Sequence, residues 1–343
     1  MAEVDTLRDK LLYPTIPVGF LDDVFQAAYA RDLDVEAILA ANGLSLAVLK
    51  EPGLRVSVDK YAEVLRQLGN QTQDAFLGFF SKPVPLKAYN VFCYSLVGCR
   101  TLEELIQQAN DFYALFTDEF YWQYRQEKSE IIIQVHITPV LDVDYRFIVH
   151  SLQLMCIRLF AWILGETVEL NSVDFTFSKN ATDENLTYLL GDHINYDCDE
   201  NLIRINSRFG KARLSCTRDQ IEPVLHNSRR LFLVTHNRHP VSQQVRRLLL
   251  ANKYEEWLGG DEVAEQLGIT PNLLWRKLKK EGNSFLDIRD DIKRDWALVL
   301  LEDPANTVEM VADQLRYSDV SAFRKAFKKW TGLQPVQYRA LLG

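Results

Sequence analysis

Residues 262–270, EVAEQLGIT, and residues 310–318, MVADQLRYS, lie 48 positions apart and share the pattern Val-Ala-acid-Gln-Leu. An imperfect repeat of this kind marks a duplicated supersecondary unit. Each copy lines one face of a short helix with apolar residues. These are Val263, Ala264 and Leu267 in the first, and Val308, Val311, Ala312 and Leu315 in the second. Gly268 suits the positive φ of a tight turn. Thr270-Pro271 is a good helix start, because Pro at the first position lacks only a donor that would be unpaired anyway. Asn306, with Glu309 three residues on, predicts a capping box for the second copy, and Ser318 or Asp319 a cap for the helix that follows.

The helix after each turn is polar and basic outside. In the first, Leu274 and Leu278 point inward, while Asn272, Trp275, Arg276 and Lys279 share the outer face next to Lys280. In the second, Phe323, Phe327 and Trp330 form the core stripe, and Ser321, Arg324, Lys325 and Lys328 face out. Two helix-turn-helix units are therefore expected, at about 261–280 and 307–330. Between them, Ser284 to Glu302 reads as one long helix, with Phe285, Ile288, Ile292, Trp296 and Leu300 at helical spacing. Such a helix could hold two readers in successive major grooves of one DNA face, about 34 Å apart.

Basic helices are commonly just solvated, and single units of this shape occur in plain helical bundles. Two related units, both basic on the outer face, favour double-stranded DNA as partner. Arg276, Arg324 and Lys325 are the candidates for base edges or nearby phosphates, and Asn272 suits adenine. Lys279, Lys280 and Lys328 are expected on phosphates. Trp275 has two open readings, packing or contact with DNA.

Charge placement agrees. The 343 residues carry a net charge of −8, which naively counts against a polyanionic partner. Residues 1–235, however, hold 22 Lys+Arg against 32 Asp+Glu, and residues 236–343 hold 17 against 15. Clusters rather than totals set the local field. The expected organisation is a domain over 1–217, a connection over 218–238 with a short helix at 224–234, and a DNA-binding domain over 239–343.

The first half changes period along its length. Helices are expected at 18–30, 35–41, 58–69 and 102–115, then a hairpin of strands at 120–125 and 130–137 around a turn at 126–129. A long helix at 143–164 and a strand at 173–177 follow. Helices, strands and a helix in that order indicate an α+β domain, beside an all-α C-terminal domain. Tyr113, Phe116 and Trp122 fall in an aromatic-rich stretch and are either core or ligand-lining. Arg146, His150 and Gln153 fall on one helical stripe, which is a solvated face, a satisfied polar cluster or a binding site for an anionic effector.

The stretch 311–339 closely resembles the signature of AraC/XylS-type transcription regulators, through its Y-S-D-x-S-x-F…A-F-K-K-W-T-G…P…Y-R skeleton. The resemblance extends back to about residue 239. It implies a domain of about seven helices with two helix-turn-helix units that binds promoter DNA. Four positions depart from the family pattern. Arg316 stands where Gly is nearly always found, Val320 where Pro is common, Asn272 where Arg is frequent and Trp275 where a polar residue is. Residues 17–210 resemble the N-terminal domain of OruR/ArgR-like members, which implies small-molecule sensing and dimerisation.

Other functions lack their chemistry. No G-x-S-x-G, Walker, Rossmann or H-E-x-x-H motif is present, so no enzyme is expected. His136 has no H-x-H partner for a metal. The five cysteines are scattered, without the spacing of the zinc module that DNA alkylation-repair regulators need. Neither cofactor nor metal is expected. Residues 1–10 do not read as a signal peptide, and the apolar run 152–164 reads as a buried helix short of a membrane span. The expectation is a cytoplasmic, dimeric, effector-responsive regulator, an activator that engages RNA polymerase. The alternative is a ligand-independent repressor or architectural protein.

Overall fold

The structure, a computed structural model, describes residues 15–51, 54–165, 168–180, 183, 186, 190, 193–214, 217–218, 241–251 and 257–342. The helix expected at 224–234 lies outside these residues. In chain order the elements of the first half are β1 (Thr15–Pro17), α1 (Gly19–Ala30), α2 (Val35–Ala41), β2 (Arg55–Ser57), α3 (Val58–Thr72), α4 (Ala88–Ser95) and α5 (Leu102–Tyr113). Then come β3 (Phe120–Gln126), β4 (Glu130–Ile137), α6 (Arg146–Leu164), β5 (Leu170–Asp174), β6 (Ile194–Asn195) and β7 (Leu202–Asn206). The second half holds α7 (Val241–Ala251), α8 (Gly260–Gln266), α9 (Pro271–Lys280), α10 (Phe285–Glu302), α11 (Val308–Gln314), α12 (Val320–Thr331) and α13 (Pro335–Leu341). An α+β half precedes an all-α half, as the sequence predicts. The helix α4, both strands of the β1–β2 pair, and β6 and β7 were not foreseen. The strand expected at 173–177 instead runs from Leu170 to Asp174, and the long helix begins at Arg146 rather than residue 143.

The chain folds as two compact units. One gathers Gly19–Ile38 and Ala62–Asn237. Its five-stranded sheet has the order β3-β4-β7-β5-β6, antiparallel except for the β5–β6 pair. On the edge strand β3, Phe120 and Trp122 are buried and Tyr121 is exposed, the alternation of a strand with one covered face. The next strand, β4, is buried from Ile131 to Val135 without alternation. Helix α6 is buried at 15 of its 19 residues, which is why its sequence shows no amphipathic period. Among the described residues this one helix is long and apolar enough to cross a membrane, and most of it is covered inside the unit.

The other unit gathers Met1–Val18, Leu39–Tyr61 and Arg238–Gly343. This differs from the expected division, which assigned all of 1–217 to one domain. A two-stranded ribbon buries too little surface to stand alone, and β1–β2 is tied to α10 instead. Asp295, buried on α10, is the knot. Thr15 Oγ1 donates to its Oδ1 at 2.8 Å, Arg246 Nη2 to its Oδ2 at 2.5 Å and Arg294 Nη2 to its Oδ1 at 3.2 Å, while Arg55 Nε stands 4.0 Å away. Burial alone would raise the Asp295 pKa, but Arg294, Arg246 and Arg55 together hold it below the ordinary carboxylate value. Further stitches run from the Ser57 hydroxyl to Glu302 at 3.1 Å, from the Tyr338 hydroxyl to the Arg55 carbonyl at 3.2 Å, and from the Ser45 hydroxyl to the Leu341 carbonyl at 3.3 Å.

Candidate nucleic-acid interface

The two repeats fold into one local structure built twice. Helix α8 starts at Gly259, whose N–H donates to Glu262 Oε2 at 2.6 Å, and it buries Val263 and Ala264. Helix α11 is capped by Thr307, whose hydroxyl accepts from Met310 N at 3.2 Å, and it buries Val308, Val311 and Ala312. This corrects the expected cap, Asn306, whose side chain donates to the Leu300 carbonyl instead, at 3.0 Å.

The turns correspond bond for bond. In the first, Gly268 N donates to Glu265 O at 2.9 Å and Ile269 N to Ala264 O at 3.0 Å. In the second, Arg316 N donates to Asp313 O at 2.9 Å and Tyr317 N to Ala312 O at 3.0 Å. This pair of bonds is the Schellman ending, which requires a left-handed residue. Gly268 supplies it with φ 66°, and Arg316 with φ 56°. The departure from Gly at 316 thus leaves the turn intact.

Each turn delivers a second helix. Thr270 Oγ1 accepts from Leu273 N at 3.3 Å to start α9, with Pro271 in its first turn. Asp319 Oδ1 accepts from Ala322 N at 2.8 Å to start α12, and that bond holds the carboxylate below its ordinary pKa. Leu274 and Leu278 anchor α9, and Phe323 and Phe327 anchor α12, while Trp330 is only half-buried. Asn272, Arg276, Lys279 and Lys280 are all exposed on α9, as are Ser321, Arg324, Lys325 and Lys328 on α12. Arg324 Nη2 lies 3.6 Å from Glu309 Oε1 on α11. Trp275 packs edge-to-face on Phe285 at 5.7 Å and lies over Gly260, yet keeps 40% of its surface exposed. The long helix between the units, α10, buries Phe285, Ile288, Ile292, Trp296 and Leu300 as its spacing predicts.

The five candidate ligand residues fall into two sets of contacts. Tyr113, Phe116 and Trp122 join an aromatic core. Phe112 links Tyr113 and Phe116, the Tyr113 ring lies 6.1 Å from that of Trp122, and the Tyr113 hydroxyl meets Met155 Sδ at 3.8 Å. Arg146, His150 and Gln153 are buried, so their stripe on α6 is not a solvated face. Arg146 Nη1 bonds Asp183 at 2.7 Å, and its guanidinium lies 4.3 Å above the Phe177 ring. His150 sits edge-on to Phe175 and Phe177 at 4.9 and 5.1 Å. Burial, aided by Arg146, pushes its pKa down to about 3 and keeps the ring neutral. Sequence reasoning missed Asp183 because nothing in the local pattern ties it to α6. His136 stacks on Tyr121 at 4.3 Å and bonds Gln123 at 3.1 Å. Among the described residues, no group of three His, Cys, Asp or Glu side chains could hold a metal ion.

Two helix-turn-helix units with matched turns and basic outer helices define a DNA-binding protein of the regulator class. Residues 33–214 match the Arabinose-binding domain of AraC transcription regulator, N-term, and residues 263–341 match the Helix-turn-helix domain. The chain belongs to the AraC-type transcriptional regulators. It is 23% identical over 322 residues to an uncharacterized HTH-type transcriptional regulator of Mycobacterium tuberculosis, covering 91% of this chain and 93% of that one. It is 19% identical over 326 residues to the Ornithine utilization regulator of Pseudomonas aeruginosa, covering 94% and 96%. The crystal structure of transcriptional regulator CdpR from Pseudomonas aeruginosa aligns with a TM-score of 0.32 at 20% identity, over 89% of this chain and 97% of that one. These homologues are transcriptional regulators, not enzymes.

Proposed function

We propose that this regulator is a cytoplasmic, effector-responsive activator that binds promoter DNA as a homodimer. Helices α9 and α12 enter successive major grooves, and the acidic half senses a small molecule and carries the dimer contact. RNA polymerase is the further partner. The observation that supports this reading best is the pair of bond-for-bond equivalent turns, each delivering an exposed basic helix, joined by the single helix α10. Arg276, Arg324 and Lys325, with Asn272, read or flank bases, and Lys279, Lys280 and Lys328 clamp phosphates. Footprinting on a bound promoter tests the geometry: two protected segments one helical turn apart are expected, and a single segment would exclude two-groove reading. Gel-shift titration and in vitro transcription, each with and without cell metabolites, test the response. If no compound altered affinity or transcription, the chain would act as a ligand-independent repressor or architectural protein.

A further inference from the structure

Helices α1 and α6 each turn one face toward a buried polar site. Phe20 and Asp23 share a face of α1, and Arg146 and His150 share a face of α6, three and four residues apart. Phe20 and His150 meet edge-on at 6.4 Å. Asp23 is in the electrostatic field of Arg146, Asp144 and Asp183. Two carboxylates, Asp183 and Asp144, therefore flank one guanidinium with Asp23 in its field, and the Nη1 and Nη2 of that guanidinium are already bonded, to Asp183 and to the Ser178 carbonyl. Arg146 bonds Asp183 at 2.7 Å, lies 3.6 Å from Asp144 and covers Phe177. The neutral His150 adds no positive charge.

The unmet carboxylate bonds have the same sense as the charge, while one donor, Arg146 Nε, is also unpartnered at 3.6 Å from Asp144 Oδ2. Asp23 Oδ2 and Asp183 Oδ1 are buried acceptors without a partner, and His150 Nε2 is unpartnered too. Asp23 is 9% exposed, His150 4% and Asp183 0%. A buried acceptor left without a donor is costly, more so when charged, so such atoms mark a place for a donor-rich guest. A carboxylate or phosphate would add acceptors and negative charge to a site that has a surplus of both.

We propose that this site receives the primary ammonium group of a small organic amine, with Asp23 and Asp183 accepting its N–H bonds and Phe20, Phe175 and His150 beside them. An ammonium supplies three donors and one positive charge, which answers both surpluses at once. Aromatic neighbours favour an organic cation over a bare, strongly hydrated one. This assignment rests on the reading of the acidic half as a sensor and names the class of its effector. It replaces an anionic effector, because the one cation on the stripe is already paired.

The test uses the full chain and three probes of one shape: benzylammonium, benzoate and benzyl alcohol. Benzylammonium alone is expected to raise the unfolding temperature saturably. Asp23→Asn, which keeps the shape and removes the charge that Asp23 carries above about pH 7, is expected to weaken that binding at least tenfold at pH 8. A saturable rise with benzoate or benzyl alcohol instead, no rise with benzylammonium, or undiminished binding in Asp23→Asn each overturns the proposal. DNA affinity and transcription measured at saturating benzylammonium separate the two readings. A temperature rise with neither quantity changed keeps the ammonium site and removes its role as an effector site.

Discussion

Gly268 and Arg316 occupy the same point of two turns with matched hydrogen bonds, and both hold a left-handed backbone, at φ 66° and 56°. Glycine adopts that conformation freely, whereas a residue with a Cβ loses about 1–2 kcal/mol there. Glycine's greater freedom in the unfolded chain offsets part of the difference. Arg316→Gly is therefore expected to stabilise the chain by about 1 kcal/mol, read by chemical denaturation. A loss of stability would show that the arginine side chain contributes more than its backbone costs.

The exposed cations divide by what they lose. Arg276→Ala is expected to weaken specific binding by about 1–3 kcal/mol and to relax preference at one base pair. Lys279→Ala and Lys328→Ala should weaken binding to specific and random duplexes alike, and each should lower the salt slope by about one. Gel shifts across a salt series distinguish them. Equal losses on both duplexes for Arg276→Ala would reassign that residue to a phosphate.

Trp275 couples the two helices of the first unit. A Cβ added at Gly260 would stand 2.2 Å from Trp275 Cη2, so Gly260→Ala must push the indole off its seat on Phe285. The expected result is a loss of about 1–3 kcal/mol of stability, a red-shifted tryptophan emission and weaker DNA binding. Unchanged DNA affinity, with the emission shifted, would make Trp275 a packing residue only.

Asp23 predicts a pH dependence with a definite sign. Burial lifts its carboxyl to about 7, Arg146 opposes, and Asp144, Asp183 and Asp22 add to the rise. The folded state thus keeps a proton that the unfolded chain releases near 3.8. The resulting stability is complete below 3.8 and is lost as pH climbs from there through about 7. Asp23→Asn should remove this slope, so that it gains on the wild type as pH rises across that window. Parallel stability curves for the two proteins, measured by urea denaturation from pH 4 to 8, would contradict the raised carboxyl.

The legible parts of the molecule were those written within a few neighbouring residues. The paired turns, the Thr270 and Asp319 caps and the apolar stripe of α10 all follow from spacing of three and four. The cap at α11 was misplaced by one residue because Asn306 and Thr307 are both able to cap, and only the Leu300 carbonyl decides that Asn306 is engaged elsewhere. Strand β7, LIRIN, is only five residues long and too short to set a clear period, and α4, AYNVFCYS, has no polar face to set a helical one. The long-range polar contacts were beyond reach for a different reason. Thr15 meets Asp295 across 280 positions and Arg146 meets Asp183 across 37, and no local pattern encodes such pairings.

The knot at Asp295 bears on how this regulator could be taken apart. A chimera that grafts a foreign sensor onto residue 238 would treat the reader as a cassette that begins there. It would leave behind Thr15, Arg55 and Ser57, which answer Asp295 and Glu302 on the helix between the two readers. The transferable piece is discontinuous in the gene: the ribbon of β1 and β2 must travel with the last hundred residues, or be replaced by something that neutralises the same carboxylate.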